Sequence, residues 1–106
     1  MILDAGLSAD NEENKYYKLA QANDCLIKST IHPDENNGAL VMKVWPNKTV
    51  FLDWLNPKAA DVWETGLNDL YKLVPFDGLW IDMNEATGFT NGELTPEKKS
   101  ELVEAL

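Results

Sequence analysis

The chain has 106 residues, 44% hydrophobic and 25% charged, the balance of a globular protein, and is too short for a complete (β/α)8 barrel of about 250 residues. Nine Lys and Arg against eighteen Asp and Glu give a net charge of −9, a field that repels phosphate backbones and anionic lipid surfaces and argues against nucleic acid as a partner. One cysteine, Cys25, excludes an internal disulfide and any multi-cysteine metal site, and no run approaches the roughly 18 apolar residues of a membrane helix.

Met1-Ile2-Leu3 is apolar and runs straight into Asp4 and a polar, acidic stretch, as a buried strand does where it meets a loop. A chain that starts in mid-strand, without a leader, suggests an internal piece of a longer protein; a short edge strand of a small domain explains the same feature. Lys15 to Ala22 is a short helix candidate, with Tyr16, Leu19 and Ala20 on one side. His32-Pro33 through Asn37-Gly38 is a loop, and His32 has no partners at metal-ligand spacing. Ala39 to Trp45 and Thr49 to Trp54 are β-rich runs, expected to form a hairpin around Pro46-Asn47-Lys48.

The clearest helix begins at Asn56-Pro57, where Asn caps the free N–H groups and proline suits the first helical position. Ala59, Ala60, Trp63, Leu67, Leu70, Tyr71 and Val74 recur at helical spacing and predict a broad apolar face. After the turn at Val74-Pro75-Phe76-Asp77-Gly78, the unalternated run Leu79-Trp80-Ile81 predicts a strand buried on both faces and ending at Asp82. Thr95-Pro96 opens a last amphipathic helix with Leu102, Val103 and Leu106 on its apolar side, and its end without a cap again suggests truncation. Helix, loop, buried strand and polar end make half of a repeating α/β unit, which needs neighbours on both sides.

Carboxylates at the C-terminal end of a buried strand sit where barrel enzymes place their catalytic groups. Asp82 and Glu85 fit that position, with Trp80 as a pocket wall. The same spacing also fits a capping box in which Asp82 caps a turn beginning at Met83. Trp54 and Trp63 read as core, Asp53 and Asp77 as turn and cap residues, and Cys25 as inert.

Trp80-Ile81-Asp82-Met83-Asn84-Glu85 resembles the nucleophile signature of glycoside hydrolase family 31, the α-glucosidase family. Leu3-Asp4-Ala5-Gly6-Leu7-Ser8, Val44-Trp45-Pro46, Phe51 to Pro57, Val74 to Gly78 and Phe89-Thr90-Asn91-Gly92-Glu93 resemble further family segments in the family's order. The likeness runs from Ile2 to about Glu93 and is nearest the maltase type. Two departures stand out: Asn47 where many members have glycine, and Leu52 where many have proline.

The resemblance implies an α/β fold, a fragment of a (β/α)8 TIM barrel from about strand 3 to just after strand 4. With the elements read from the residues, the chain divides into a strand and loop over 1–8, an insertion with a hairpin over 9–56, a helix over 57–73, the nucleophile strand over 78–85 and a helix over 95–106, the last beyond the reach of the resemblance. The resemblance assigns Asp82 the nucleophile of a retaining, exo-acting hydrolysis of terminal α-glucosidic bonds in maltose-like oligosaccharides, starch or glycogen. Glu85 belongs to the catalytic signature as an orienting group. Asp4, Trp45, Trp80 and Met83 match residues that hold the glucose in the first subsite.

The general acid/base lies on a later strand in the family, so the 106 residues alone are expected to be inactive. No metal or other cofactor is implied, and the partners are α-linked glucose oligosaccharides or polysaccharides. Asn47-Lys48-Thr49 is a glycosylation acceptor sequence, in keeping with the lysosomal, secreted or other secretory-pathway location that the family suggests. The rival reading is a truncated or degenerate copy, at most a weak carbohydrate binder; α-xylosidase and glucosidase II specificities also stay open.

Overall fold

The computed structural model describes residues 2–10 and 13–94. The helix expected over 95–106 lies outside them. In chain order the elements are β1 (Ile2–Asp4), β2 (Leu7–Ser8), α1 (Lys15–Ala22), a short 3-10 turn (Asn36–Gly38), β3 (Met42–Val44), β4 (Asn47–Val50), α2 (Pro57–Leu73) and β5 (Trp80–Asp82). They form a parallel pair, β1 with β5, and a three-stranded antiparallel sheet in the order β2-β4-β3.

Both helices start as their sequences dictate. Asn14 caps α1 by accepting from the Tyr16 N–H at 3.0 Å, while its own amide donates to the Ser8 carbonyl at 3.1 Å. Asn56 caps α2 by accepting from the Lys58 N–H at 3.0 Å, Pro57 occupies the first turn, and the Asn56 amide donates to the Asp24 carbonyl at 3.0 Å. At the other end of α2 the Val74 N–H donates to the Leu70 carbonyl, and Lys72 stands in the last turn where a cation suits the helix dipole.

The core lies between the antiparallel sheet and the two helices. Val41, Val50, Leu52, Ala59, Val62, Ala20 and Tyr17 are buried there around Cys25, whose thiol burial pushes up from its ordinary range. The Cys25 N–H donates to the Ala20 carbonyl and its own carbonyl accepts from the Asp53 N–H, so the residue is structural. Asp69 fastens α1 to α2: one of its oxygens accepts both from Lys15 Nζ and from the Tyr16 hydroxyl, each at 2.9 Å.

The hairpin is tighter than the sequence predicts. Val44 pairs with Asn47, so the turn is Trp45-Pro46, and Asn47 already belongs to β4. Asn47 has φ +75°, a left-handed conformation that glycine takes freely and asparagine tolerates. That explains how asparagine stands where the family often has glycine. At Leu52 the bridge to Leu26 runs through the N–H groups of Ile27 and Asp53. A proline ring at 52 would remove neither bond.

Three expectations of burial are corrected. On α2 the residues that reach the core are Ala59 and Val62, whereas Ala60 and Tyr71 are exposed, as is Val74 just beyond the helix. Trp63 packs on the core edge and meets Trp54 edge-to-face at 5.6 Å, but Trp54 itself is exposed. The Trp80 to Asp82 strand is exposed throughout, not buried on both faces. Among the described residues β5 has a single strand neighbour, β1, and no element covers its other edge.

Candidate active site

β1 and β5 run parallel with Ile2 opposite Trp80, Leu3 opposite Ile81 and Asp4 opposite Asp82. Strand residues alternate between the two sheet faces, so Asp4, Asp82 and Trp80 share one face and Leu3 and Ile81 the other. Neighbouring strands lie about 4.8 Å apart, which sets the two carboxylates side by side at the C-terminal ends of adjacent parallel strands. Their side chains stand on rigid backbone, and one aromatic ring flanks them two residues down the strand.

The chain then turns away abruptly. Met83 has φ +52°, a left-handed conformation that costs a non-glycine residue of its size roughly 1–2 kcal/mol. No helix follows among the described residues, so the capping box that the Asp82 to Glu85 spacing allows does not form. Glu85 lies exposed in a bend. Asn84 Oδ1 and Thr90 Oγ1 are buried without a hydrogen-bond partner among the described residues.

The segment after Glu85 returns to the hairpin. The Phe89 N–H donates to the Lys43 carbonyl at 2.7 Å and the Leu94 N–H to the Val41 carbonyl at 2.8 Å, extending the β3 edge. The Asn36 amide donates to the Leu94 carbonyl at 2.9 Å and fixes the far end. Gly88 permits the approach: a Cβ there would stand 3.2 Å from the Met42 side chain. Trp45, at the hairpin turn and largely exposed, meets Phe89 edge-to-face with ring centroids 5.0 Å apart.

Two groups of the expected residues are thus visible. Asp4, Trp80 and Asp82 share one sheet face, with Met83 and Glu85 directly following. Trp45 stands on a separate element, linked to that group through the 86–94 segment. The ring of Phe89 as Trp45's neighbour is a contact that sequence reasoning missed. Its only signal was the position of an aromatic between Gly88 and the Asn91-Gly92 turn. Asn47, the first residue of the Asn47-Lys48-Thr49 tripeptide, is exposed, and its amide donates to Asp10 at 3.2 Å. Thr49, the third residue of that tripeptide, is buried.

A cleft of about 340 Å³ opens between β1 and α2, lined by Leu3, Leu7, Leu52, Trp63, Leu67 and Leu70 among others. Its lining is mostly apolar, with Asp4 and Tyr16 as its polar members.

The family profile described as the glycosyl hydrolases family 31 TIM-barrel domain matches residues 1–105. Lysosomal alpha-glucosidase of Rattus norvegicus is 35% identical over 92 residues, covering 87% of this chain and 9% of that protein. Alpha-glucosidase of Aspergillus niger is 41% identical over 97 residues, 86% of this chain and 9% of that protein. Alpha-xylosidase 1 of Arabidopsis thaliana is 38% identical over 100 residues, 93% of this chain and 10% of that protein. The chain spans about a tenth of the length of these relatives. A parallel strand pair ending in aligned carboxylates, a profile matching nearly every residue and relatives of one enzyme class agree: the chain belongs to glycosyl hydrolase family 31, and its residues fall within that family's TIM-barrel domain.

Proposed function

We propose that these residues form the nucleophile side of a retaining α-glucosidase site in a longer protein. β1 and β5 serve as the third and fourth barrel strands, and the 9–56 segment with its hairpin as the insertion between them. The observation that carries this reading is the register that places Asp4 beside Asp82 at adjacent strand ends. In it Asp82 attacks the anomeric carbon of a terminal α-linked glucose. The bond to the leaving oxygen breaks, that oxygen takes a proton from an acid supplied by another strand, and water later cleaves the glycosyl ester with net retention. Asp4 accepts hydrogen bonds from glucose hydroxyls, Trp80 and Trp45 face the C–H surfaces of the sugar, and Met83 packs beside the nucleophile. Glu85 orients its neighbours.

The substrates are maltose-like oligosaccharides and the ends of starch or glycogen. A secretory-pathway location follows from the resemblance to the lysosomal relatives, and Asn47 is the candidate glycan site; removal of N-glycans should then lower the apparent mass of the native protein. The test of the chemistry is to treat the full-length protein with 5-fluoro-α-glucosyl fluoride and to digest it. The expected result is a glycosylated peptide with the sugar on Asp82 and loss of maltose hydrolysis in Asp82→Ala; a label on another carboxylate overturns the assignment. The 106 residues alone should hydrolyse no maltose.

The alpha-xylosidase relative supports a second specificity. Xylose lacks the hydroxymethyl group of glucose, so rates on the 4-nitrophenyl α-glucoside and α-xyloside decide between the two.

A further inference from the structure

We infer that Phe89 is a positioning residue for Trp45, coupling the hairpin turn to the strand that carries Asp82. The inference rests on the reading of Trp45 as a sugar-facing ring. Trp45 sits on a two-residue turn with 76% of its surface exposed, so little besides a neighbouring ring limits its rotamers. That neighbour is Phe89, whose ring meets the indole at 78° with centroids 5.0 Å apart, the edge-to-face arrangement that aromatic quadrupoles favour.

Phe89 is itself held by backbone. Its N–H is bonded to the Lys43 carbonyl, two residues before Trp45, and the Leu94 N–H to the Val41 carbonyl. Gly88 lies close to Met42: a Cβ there would stand 3.2 Å from its side chain, so the contact with β3 would have to give by about a few tenths of an ångström. Phe89 also lies seven residues after Asp82 on the segment that leaves β5. The chain leaving the nucleophile strand therefore closes against the hairpin and sets the plane of the indole before a sugar arrives. An indole free to rotate would have to be ordered on binding, a loss of roughly 3- to 10-fold in affinity.

The experiment uses the full-length protein and a double-mutant cycle. Phe89→Ala should raise KM for maltose roughly 3- to 10-fold with a much smaller change in kcat, Phe89→Tyr should restore the KM, and in a Trp45→Ala background Phe89→Ala should cost nothing further. Equal cost in both backgrounds would overturn the coupling, as would an unchanged KM. A second measurement needs no activity: with 5-fluorotryptophan incorporated, the 19F resonance lost in Trp45→Phe identifies Trp45. Phe89→Ala should move that resonance and Phe89→Tyr should leave it near its original position; a resonance unmoved by Phe89→Ala overturns the proposal. Asp82→Asn separates the two failures. If it retains hydrolysis, the catalytic reading falls while the resonance still decides the positioning of Trp45.

Discussion

The antiparallel half of the molecule and the parallel pair divide stability from chemistry. The antiparallel half supplies fully buried side chains: Val41 and Val50 have no exposed surface, and Leu52 and Phe51 almost none. On β5 the pattern is reversed, with Trp80 63% and Ile81 55% exposed, and Leu73 at the end of α2 80% exposed. The strand that carries the proposed nucleophile thus adds little to the core within these residues. In a closed barrel, strands are covered on both faces and paired on both edges, so such a strand draws its burial from neighbours. The lesson is that the candidate site is held by register and loop anchors, while the fold is held by the hairpin layer and α2.

Two substitutions should separate these roles most sharply. Asp82→Asn in the full-length protein should lower α-glucoside hydrolysis by at least roughly 10⁴-fold, the scale on which losing a catalytic nucleophile is measured. Amide exchange in β4 should not change. Leu52→Ala should do the reverse in kind, opening a cavity that costs about 2–5 kcal/mol and appears as lost protection of the β4 amides. If Asp82→Asn loosened β4 as much as Leu52→Ala does, the division between the two regions would be wrong.

Gly6 lies on the joint between the regions, one residue after Ala5 and directly before β2. A Cβ there would stand 2.6 Å from Thr49 Cγ2, a side chain with no exposed surface. Gly6→Ala should therefore cost about 1–3 kcal/mol through overpacking, read as faster exchange at Leu7 and Thr49. Gly6→Ala with Thr49→Ser removes the methyl group it strikes and should recover most of the loss. Without that recovery the clash is not the cause.

Met83 gives a smaller effect that separates conformation from contact. Met83→Ala and Met83→Gly remove the same side chain beyond Cβ, so they differ chiefly in the cost of φ +52°. Glycine pays little there, and the Gly variant should be more stable than the Ala variant by roughly 1 kcal/mol. Equal thermal midpoints would mean that the turn after Asp82 relaxes at no cost.

Much of this was legible in the sequence because it depends on local chemistry. Asn56 and Pro57 mark the start of α2 through groups within two residues of themselves, and the apolar spacing within Lys15 to Ala22 marks α1; both helices form where those signals place them, with Asn14 as the cap of α1 that the sequence reading did not name. The hairpin was legible, but its turn was displaced by one residue, since nothing local distinguishes Asn47 as the left-handed first residue of β4 from Asn47 as a turn residue. The exposure of Trp80 and Ile81 was not legible. Apolar composition says that a strand is suited to burial, whereas which face is covered depends on strands that pair with it. The Phe89 contact with Trp45 was hidden for a related reason: it joins residues 44 apart through backbone bonds to Lys43 and Val41 that no periodicity reports.

The smallest effect lies at the clamp between the helices. Lys15 and the Tyr16 hydroxyl both donate to Asp69, and these hydrogen bonds hold its carboxyl below the usual carboxylate range. A depressed pKa means that the folded state favours the charged form, so the contribution is present above the ordinary carboxylate pKa and is lost as pH falls through the folded value. Lys15 is shifted the other way, raised by its hydrogen bond to Asp69, and so is Tyr16. Their contributions are present below their ordinary values and lost as pH rises through the raised ones. The clamp should therefore hold α1 to α2 across the neutral range and loosen at both extremes. Because all three groups meet at the surface, the change should be small and weaken with salt. Protection factors of the α1 amides, corrected for intrinsic exchange, should fall between pH 6 and pH 3, and Asp69→Asn at pH 6 should show the same fall and no further acid dependence. A fall of equal size in β4 would instead assign the acid effect to the whole fold.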